Sequence, residues 1–150
     1  MKLQDILSPE NIRIEQAIRD KGQLLNVVAA ECAQKTGLPP QSIAEALLAR
    51  EKLGSTGLGE GIAIPHARLQ GLTKPFAYAV RLRKPIEFEA VDDQPVDVII
   101  ALLLPQGADA ENLASLAAVT RRLRDKAVAG RVRAAPSTAV IYQALIDKVG

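Results

Sequence analysis

The stretch Val96–Leu104 is apolar at every position but Asp97, and Pro95 and Pro105 close it at its two ends. It does not alternate, so it fits neither a half-exposed strand nor a surface helix. Its composition is that of a central strand covered on both faces. A strand of this kind needs further strands beside it and helices above and below, which sets what the rest of the chain must supply.

The remaining elements can be read around it. Asn11–Gln16 alternates Ile12 and Ile14 with polar neighbours, as a short strand does. Asp20 followed three residues later by Gln23 is a capping-box pattern, opening a helix with Leu24, Leu25, Val28 and Cys32 on its apolar side and Gly37 at its end. Pro39 and Pro40 suit the first turn of a second helix that runs to about Lys52. Ile62–Ile64 and Pro75–Leu82 read as strands, the second with Phe76, Tyr78, Val80 and Leu82 on one face, and Pro85–Val91 as a turn or irregular edge. Past Gly107 the pattern is helical from about Asp109, with Leu113, Leu116, Ala117, Thr120 and Leu123 in register. A break near Gly130 and Pro136 then precedes a last helix from Ser137 to Lys148. The expected class is α/β, a mixed sheet sandwiched between helix layers.

The second helix carries an anomaly. Stepping 100° per residue, Ile43, Ala44, Leu47 and Leu48 cluster on one side, yet Arg50 projects beside Ile43 and Ala46, and Glu51 close to Leu47. Charges aimed at the body of a domain need partners or a task. Either the helix frays there and both side chains reach water, or the two charges belong to a site.

Composition narrows the function. At 150 residues and 48% apolar, the chain is expected to form one domain over residues 1–150. Its single cysteine, Cys32, excludes an internal disulfide and favours the reducing cytoplasm. Met1–Asp5 has no signal-peptide core and no run of eighteen apolar residues occurs, so neither export nor membrane insertion is expected. A net charge of +2 and only four aromatic residues, Phe76, Phe88, Tyr78 and Tyr142, argue against nucleic acid as a partner. The run Arg121-Arg122-Leu123-Arg124 reads as a solvated helix face.

Chemistry concentrates between residues 50 and 68. The segment Gly54-Ser55-Thr56-Gly57-Leu58-Gly59-Glu60-Gly61-Ile62-Ala63-Ile64-Pro65-His66-Ala67 ends at the only histidine of the chain, with Arg50 before it and Arg68 after it. Glycine-permitted turns can aim N–H groups at an anion, the Ser55 and Thr56 hydroxyls add donors, and a guanidinium holds phosphate oxygens in a planar fork. A phosphoryl group suits this set. The segment lacks the Gly-Lys-Ser/Thr of a nucleotide loop and the Gly-x-Ser-x-Gly of a hydrolase elbow. One histidine and one distant cysteine cannot build a usual zinc site, so no metal and no cofactor are expected.

Glu51 through Ala67, with Leu58-Gly59 and Ile62-Ala63-Ile64-Pro65-His66, resembles the signature of the fructose/mannitol-type enzyme IIA domains of the phosphoenolpyruvate-dependent phosphotransferase system. The likeness extends over the whole chain and includes Asp92-Asp93-Gln94-Pro95-Val96-Asp97. Arg50 through Gly57 is most similar to the nitrogen-regulatory branch. The resemblance implies the enzyme IIA fold and a phosphoryl carrier rather than a stand-alone turnover enzyme. It implies His66 as acceptor from an HPr-like phosphohistidine carrier, Arg50 as the phosphate-steadying cation, and Ser55, Thr56 and Gly57 as phosphate-binding, with Glu60 and Arg68 at the rim. Implied partners are that carrier, regulatory targets of sensor-kinase or transporter class, and an enzyme IIB if the chain serves sugar uptake. A module that keeps the fold and only binds is a further alternative. Many members carry a second histidine facing the first, in a segment matching Asn112-Leu113-Ala114-Ser115-Leu116. Here Asn112 or Ala114 occupies that region.

Overall fold

A computed structural model describes residues 2–147. Strand β6, Val96–Pro105, lies inside a mixed sheet. On one side it pairs antiparallel with β5 (Phe76–Ile86), which in turn pairs parallel with β1 (Ile12–Glu15). On the other it pairs parallel with β3 (Ile62–Ala63) and β4 (His66–Leu69), and β2 (Gly57–Gly59) adds antiparallel to β3. Helices α1 (Lys21–Thr36) and α2 (Pro40–Leu53) cover one face; α3 (Asp109–Arg124), α4 (Lys126–Ala134) and α5 (Thr138–Ile146) cover the other.

Strand β6 divides its side chains between two cores, as expected of a strand buried twice over. Val98, Ile100, Leu102 and Leu104 pack toward α3, α4 and α5 with Val119, Leu123, Val132 and Ile141. Ile99, Ala101 and Leu103 pack toward α1 and α2 with Leu24, Val28, Ile43 and Leu47. At roughly 25 cal/mol per Å² of apolar surface removed from water, this two-sided burial is the main force fixing the strand's place.

Helix α1 starts where the capping pattern puts it. Asp20 accepts from the Gln23 N–H at 2.8 Å, and the Gln23 side chain reaches back to Arg19 N, one residue before the cap. Gly37 closes the helix at φ 77°, the left-handed conformation that glycine adopts without steric cost. Pro40 is the first residue of α2.

The glycine-rich segment forms a hairpin of β2 and β3 whose two turn residues, Glu60 and Gly61, have φ 58° and 81°, the positive pair a type I′ turn requires. Four readings need correction. The register of α3 is rotated. Asn112, Ser115, Ala118, Val119 and Leu123 face inward while Leu113 is 67% exposed. Two polar residues can be buried there because each donates to a backbone carbonyl, Asn112 Nδ2 to Pro105 and Ser115 Oγ to Glu111. The break before the last helix falls around Pro136 as expected, but Gly130 lies within α4, and a further break at Asp125, which caps α4 by accepting from Ala127 N, separates α3 from α4. Arg121 and Arg124 are exposed, as expected of a solvated face, but Arg122 is partly buried and closes the end of α5 on the carbonyls of Ala144, Leu145 and Asp147. Strand β5 runs past its expected end at Leu82 and into the first two residues of the expected turn, ending at Ile86, with an irregularity after Arg81. Helix α5 begins after Ser137 and its expected end at Lys148 lies outside the described residues.

Candidate functional site

Strands β3 and β4 run along the same edge of β6, and Ile64-Pro65 separates them. Pro65 has no N–H to give, but its carbonyl accepts from Leu102 N at 2.8 Å, so the chain stays in line with β6 through the break. His66 opens β4 opposite Leu102. Ala67 and Leu69 point into the core beneath α1 and α2, so His66 and Arg68, by the alternation of a strand, point the other way.

They point into a cleft of about 620 Å³ between the last turns of α2 and the first turns of α3. Ala46, Ala49, Arg50 and Leu53 form one wall; Asn112, Leu113 and Leu116 form the other. The small alanines keep α2 clear of the imidazole. Leu53 is 85% exposed, so the cleft has an apolar lip on both sides.

The ring of His66 is half-buried, and its Nδ1 lies 2.8 Å from the Ile64 carbonyl. A carbonyl only accepts, so the proton sits on Nδ1 and the lone pair on Nε2. Burial pushes the imidazole below its ordinary value and the Arg50 charge adds to that; the Ile64 hydrogen bond and the Glu51 charge act in the opposite direction. The net lowering keeps the ring neutral at neutral pH. The site therefore offers a neutral imidazole with a defined tautomer beside a cation.

Arg50 donates from Nη1 to the Gly54 carbonyl at 2.8 Å, its one hydrogen bond among the described residues, which leaves the other donors of its fork unspent. Arg68 stands at the rim, paired with Asp109 at 3.2 Å. Asn112 is buried in the cleft wall: Nδ2 is held by Pro105, and Oδ1 has no partner. Ala114, the other position considered for the second histidine, is exposed and is not among the cleft residues.

The expected phosphate-binding set does not line this cleft. Ser55 Oγ donates to the Phe88 carbonyl at 2.9 Å and accepts from Gly57 N–H. Thr56 is buried, and its N–H is given to the Glu51 carboxylate. Gly57 is needed for close packing, since a Cβ there would come within 2.7 Å of the Ala90 methyl. Glu60 is likewise away from the rim. It sits at the hairpin tip, its N–H on Asp92 and its carboxylate 3.7 Å from Lys126.

The anomaly of α2 resolves into two halves. Arg50 faces the cleft, whereas Glu51 is buried behind it, with Lys21 of α1 at 3.3 Å. Lys21 escaped the sequence reading because thirty residues separate it from Glu51 and nothing local pairs them. Leu53 and Leu113 gave no sign either, being ordinary apolar positions in a helix pattern.

Residues 5–148 match the family model described as phosphoenolpyruvate-dependent sugar phosphotransferase system, EIIA 2, and the chain belongs to that family. Within it the likeness is to the nitrogen-regulatory branch. The nitrogen regulatory protein of Bradyrhizobium diazoefficiens is 43% identical over 145 residues, covering 97% of this chain and 95% of that one. The crystal structure of nitrogen regulatory protein IIA-Ntr from Neisseria meningitidis superposes with a TM-score of 0.90 at 31% identity, covering 95% of this chain and 98% of that one. The IIA mannitol structure from Escherichia coli gives 0.72 at 25% identity, covering 93% and 98%. The fold is thus the enzyme IIA fold of the fructose/mannitol type. Among the described residues no helix is long and apolar enough to cross a membrane.

Proposed function

We propose that residues 1–150 act as one cytoplasmic phosphoryl-carrier domain of the nitrogen-regulatory kind, taking phosphate on Nε2 of His66 from an HPr-like phosphohistidine and engaging regulatory partners according to that state. The observation that carries this reading is the Nδ1–Ile64 hydrogen bond, which turns the lone pair of a neutral imidazole into an open, cation-flanked cleft.

The chemistry is an in-line displacement. Nε2 attacks phosphorus as the bond between phosphorus and the donor's imidazole breaks, and the electron pair of that bond returns to the donor nitrogen. No proton has to move at His66: its Nδ1–H stays on Ile64, where the positive charge gained by the ring strengthens the hydrogen bond. Arg50 leaves Gly54 for the equatorial oxygens, where a preplaced guanidinium stabilises developing charge. The exposed leucines Leu53 and Leu113 keep water from the reacting atoms once a partner covers them.

The test is incubation with phosphoenolpyruvate, enzyme I and the HPr-like carrier, followed by intact mass and acid lability. One acid-labile phosphoryl group on the wild type and none on His66→Ala is the expected result; none on either leaves a binding module. Onward transfer to an enzyme IIB assigns the chain to sugar uptake instead.

A further inference from the structure

Behind the cleft lies an ion pair that phosphoryl transfer as described above does not use, its carboxylate buried and its ammonium partly exposed, the latter also 3.8 Å from the exposed Glu89. The Glu51 side chain is 4% exposed and lies 3.3 Å from Lys21 Nζ; the Lys21 ammonium in turn sits 4.5 Å above the Phe88 ring. Both Glu51 oxygens accept from Thr56 N–H, at 2.9 and 3.2 Å. Taking a carboxylate and an ammonium out of water costs several kcal/mol each, and such pairs are commonly no more stabilising than apolar residues of the same size. The Thr56 N–H needs only a neutral acceptor. Stability therefore does not account for a charge here.

Its place does. Residues 54–56 form the corner between α2 and β2. Three side chains hold it, with Arg50 on the Gly54 carbonyl, Ser55 on the Phe88 carbonyl and Glu51 on the Thr56 N–H, beside the backbone bonds from Gly54 N–H to the Glu51 carbonyl and from Ile64 N–H to the Thr56 carbonyl. When Arg50 turns to a phosphoryl group the first is lost, and of the side-chain bonds only those of Ser55 and Glu51 then support the backbone in holding the corner that receives Arg50 back. We infer that Lys21 and Glu51 are positioning residues for phosphoryl transfer, holding the Gly54–Thr56 corner so that Arg50 is presented to the cleft at a fixed place. This rests on the carrier reading. Glu51 also opposes Arg50 in setting the charge state of His66, which provides a second way to observe it.

The experiment compares wild type with Glu51→Gln, which keeps an oxygen for Thr56 N–H but loses the charge, and with Lys21→Met. Each is assayed with phosphoenolpyruvate, enzyme I and the HPr-like carrier at a temperature where circular dichroism shows it folded. The maximal transfer rate is expected to fall about tenfold in Glu51→Gln, on the scale that a sub-ångström misplacement carries. Lys21→Met should fall in the same direction. The carrier concentration for half-maximal rate should stay unchanged, because the lips of the cleft are untouched. The imidazole titration, followed by NMR on the only histidine, should move down in Glu51→Gln. Variants that are folded, transfer at the wild-type rate and leave that titration in place overturn the positioning role alone. A wild type that takes up no phosphoryl group overturns the carrier reading, and the positioning role falls with it. Should Glu51→Gln not fold, Lys21→Met decides by the same rates.

Discussion

At the C-terminal end of α4, Arg81 of the neighbouring strand is 8% exposed and aims Nη1 at the carbonyls of Val132, Arg133 and Ala135, each 2.9 Å away. At the C-terminal end of α2, Arg50 commits one N–H to Gly54 and turns toward a cleft. Both guanidiniums favour the negative pole of a helix, yet only the second turns its remaining donors to an open cleft; the Nε of Arg81 is buried without a partner. A buried cation whose Nη1 is shared among three carbonyls is a structural cap, closed to any ligand. One with a single, solvent-exposed partner can exchange it for a ligand at small cost, and that exchange is what a transient phosphoryl group requires.

The contrast can be broken at either end. Arg81→Met should have the largest effect, since carbonyls at the buried end of α4 lose their donor at about 1–3 kcal/mol for each one left unsatisfied. A loss of about 3 kcal/mol or more in chemical denaturation is expected, with phosphoryl uptake by the folded fraction unchanged. Arg50→Ala should reverse the pattern: transfer about a hundredfold slower, as when one preorganised donor is removed from a site of developing charge, and stability within about 0.5 kcal/mol. A thermal shift as large as that of a core truncation such as Leu47→Ala would make Arg50 a second structural cap.

The pH dependence sharpens the comparison further. The folded-state value of His66 is lowered from 6.5, so the unfolded chain binds the proton more readily. The stability contributed by its neutral form is full above the unfolded value and is lost as pH falls through the lowered folded value. Transfer should follow the same window, holding as pH drops to about 6.5 and declining only below it, because the nucleophile is the neutral ring. Arg50→Ala should move this decline to higher pH, while Arg81→Met should not. The smallest effect belongs to Leu113→Ala, within about 0.5 kcal/mol of wild type; Leu123→Ala, one helix face away and fully buried, should cost about 2–5 kcal/mol.

Much of this was legible before any fold was available. The apolar run at β6, the cap at Asp20, the stop at Gly37 and the prolines opening α2 are local signals, carried by neighbouring residues. The rotated face of α3 was hidden because inward polar residues contradict a hydrophobic pattern until Pro105 is seen to accept from Asn112. Gly130 misled for a related reason: helix α4 is held by Val128, Ala129 and Val132 against the sheet and by Arg81 at its end, which outweighs one weak helix former.

The candidate site divides the same way. The sequence alone determined that one imidazole exists, that it follows a glycine-rich segment, and that two charges on α2 fall outside its polar arc, because identity and helical spacing are properties of a short stretch. Which side chains share a cleft was decided by tertiary structure. The β2–β3 hairpin commits Ser55, Thr56 and Gly57 to Phe88, Glu51 and Ala90, while β4, lying beside β6, turns His66 toward Arg50 and Asn112. Such choices depend on strand pairing and close packing between segments far apart in the chain, and no local pattern encodes those partners.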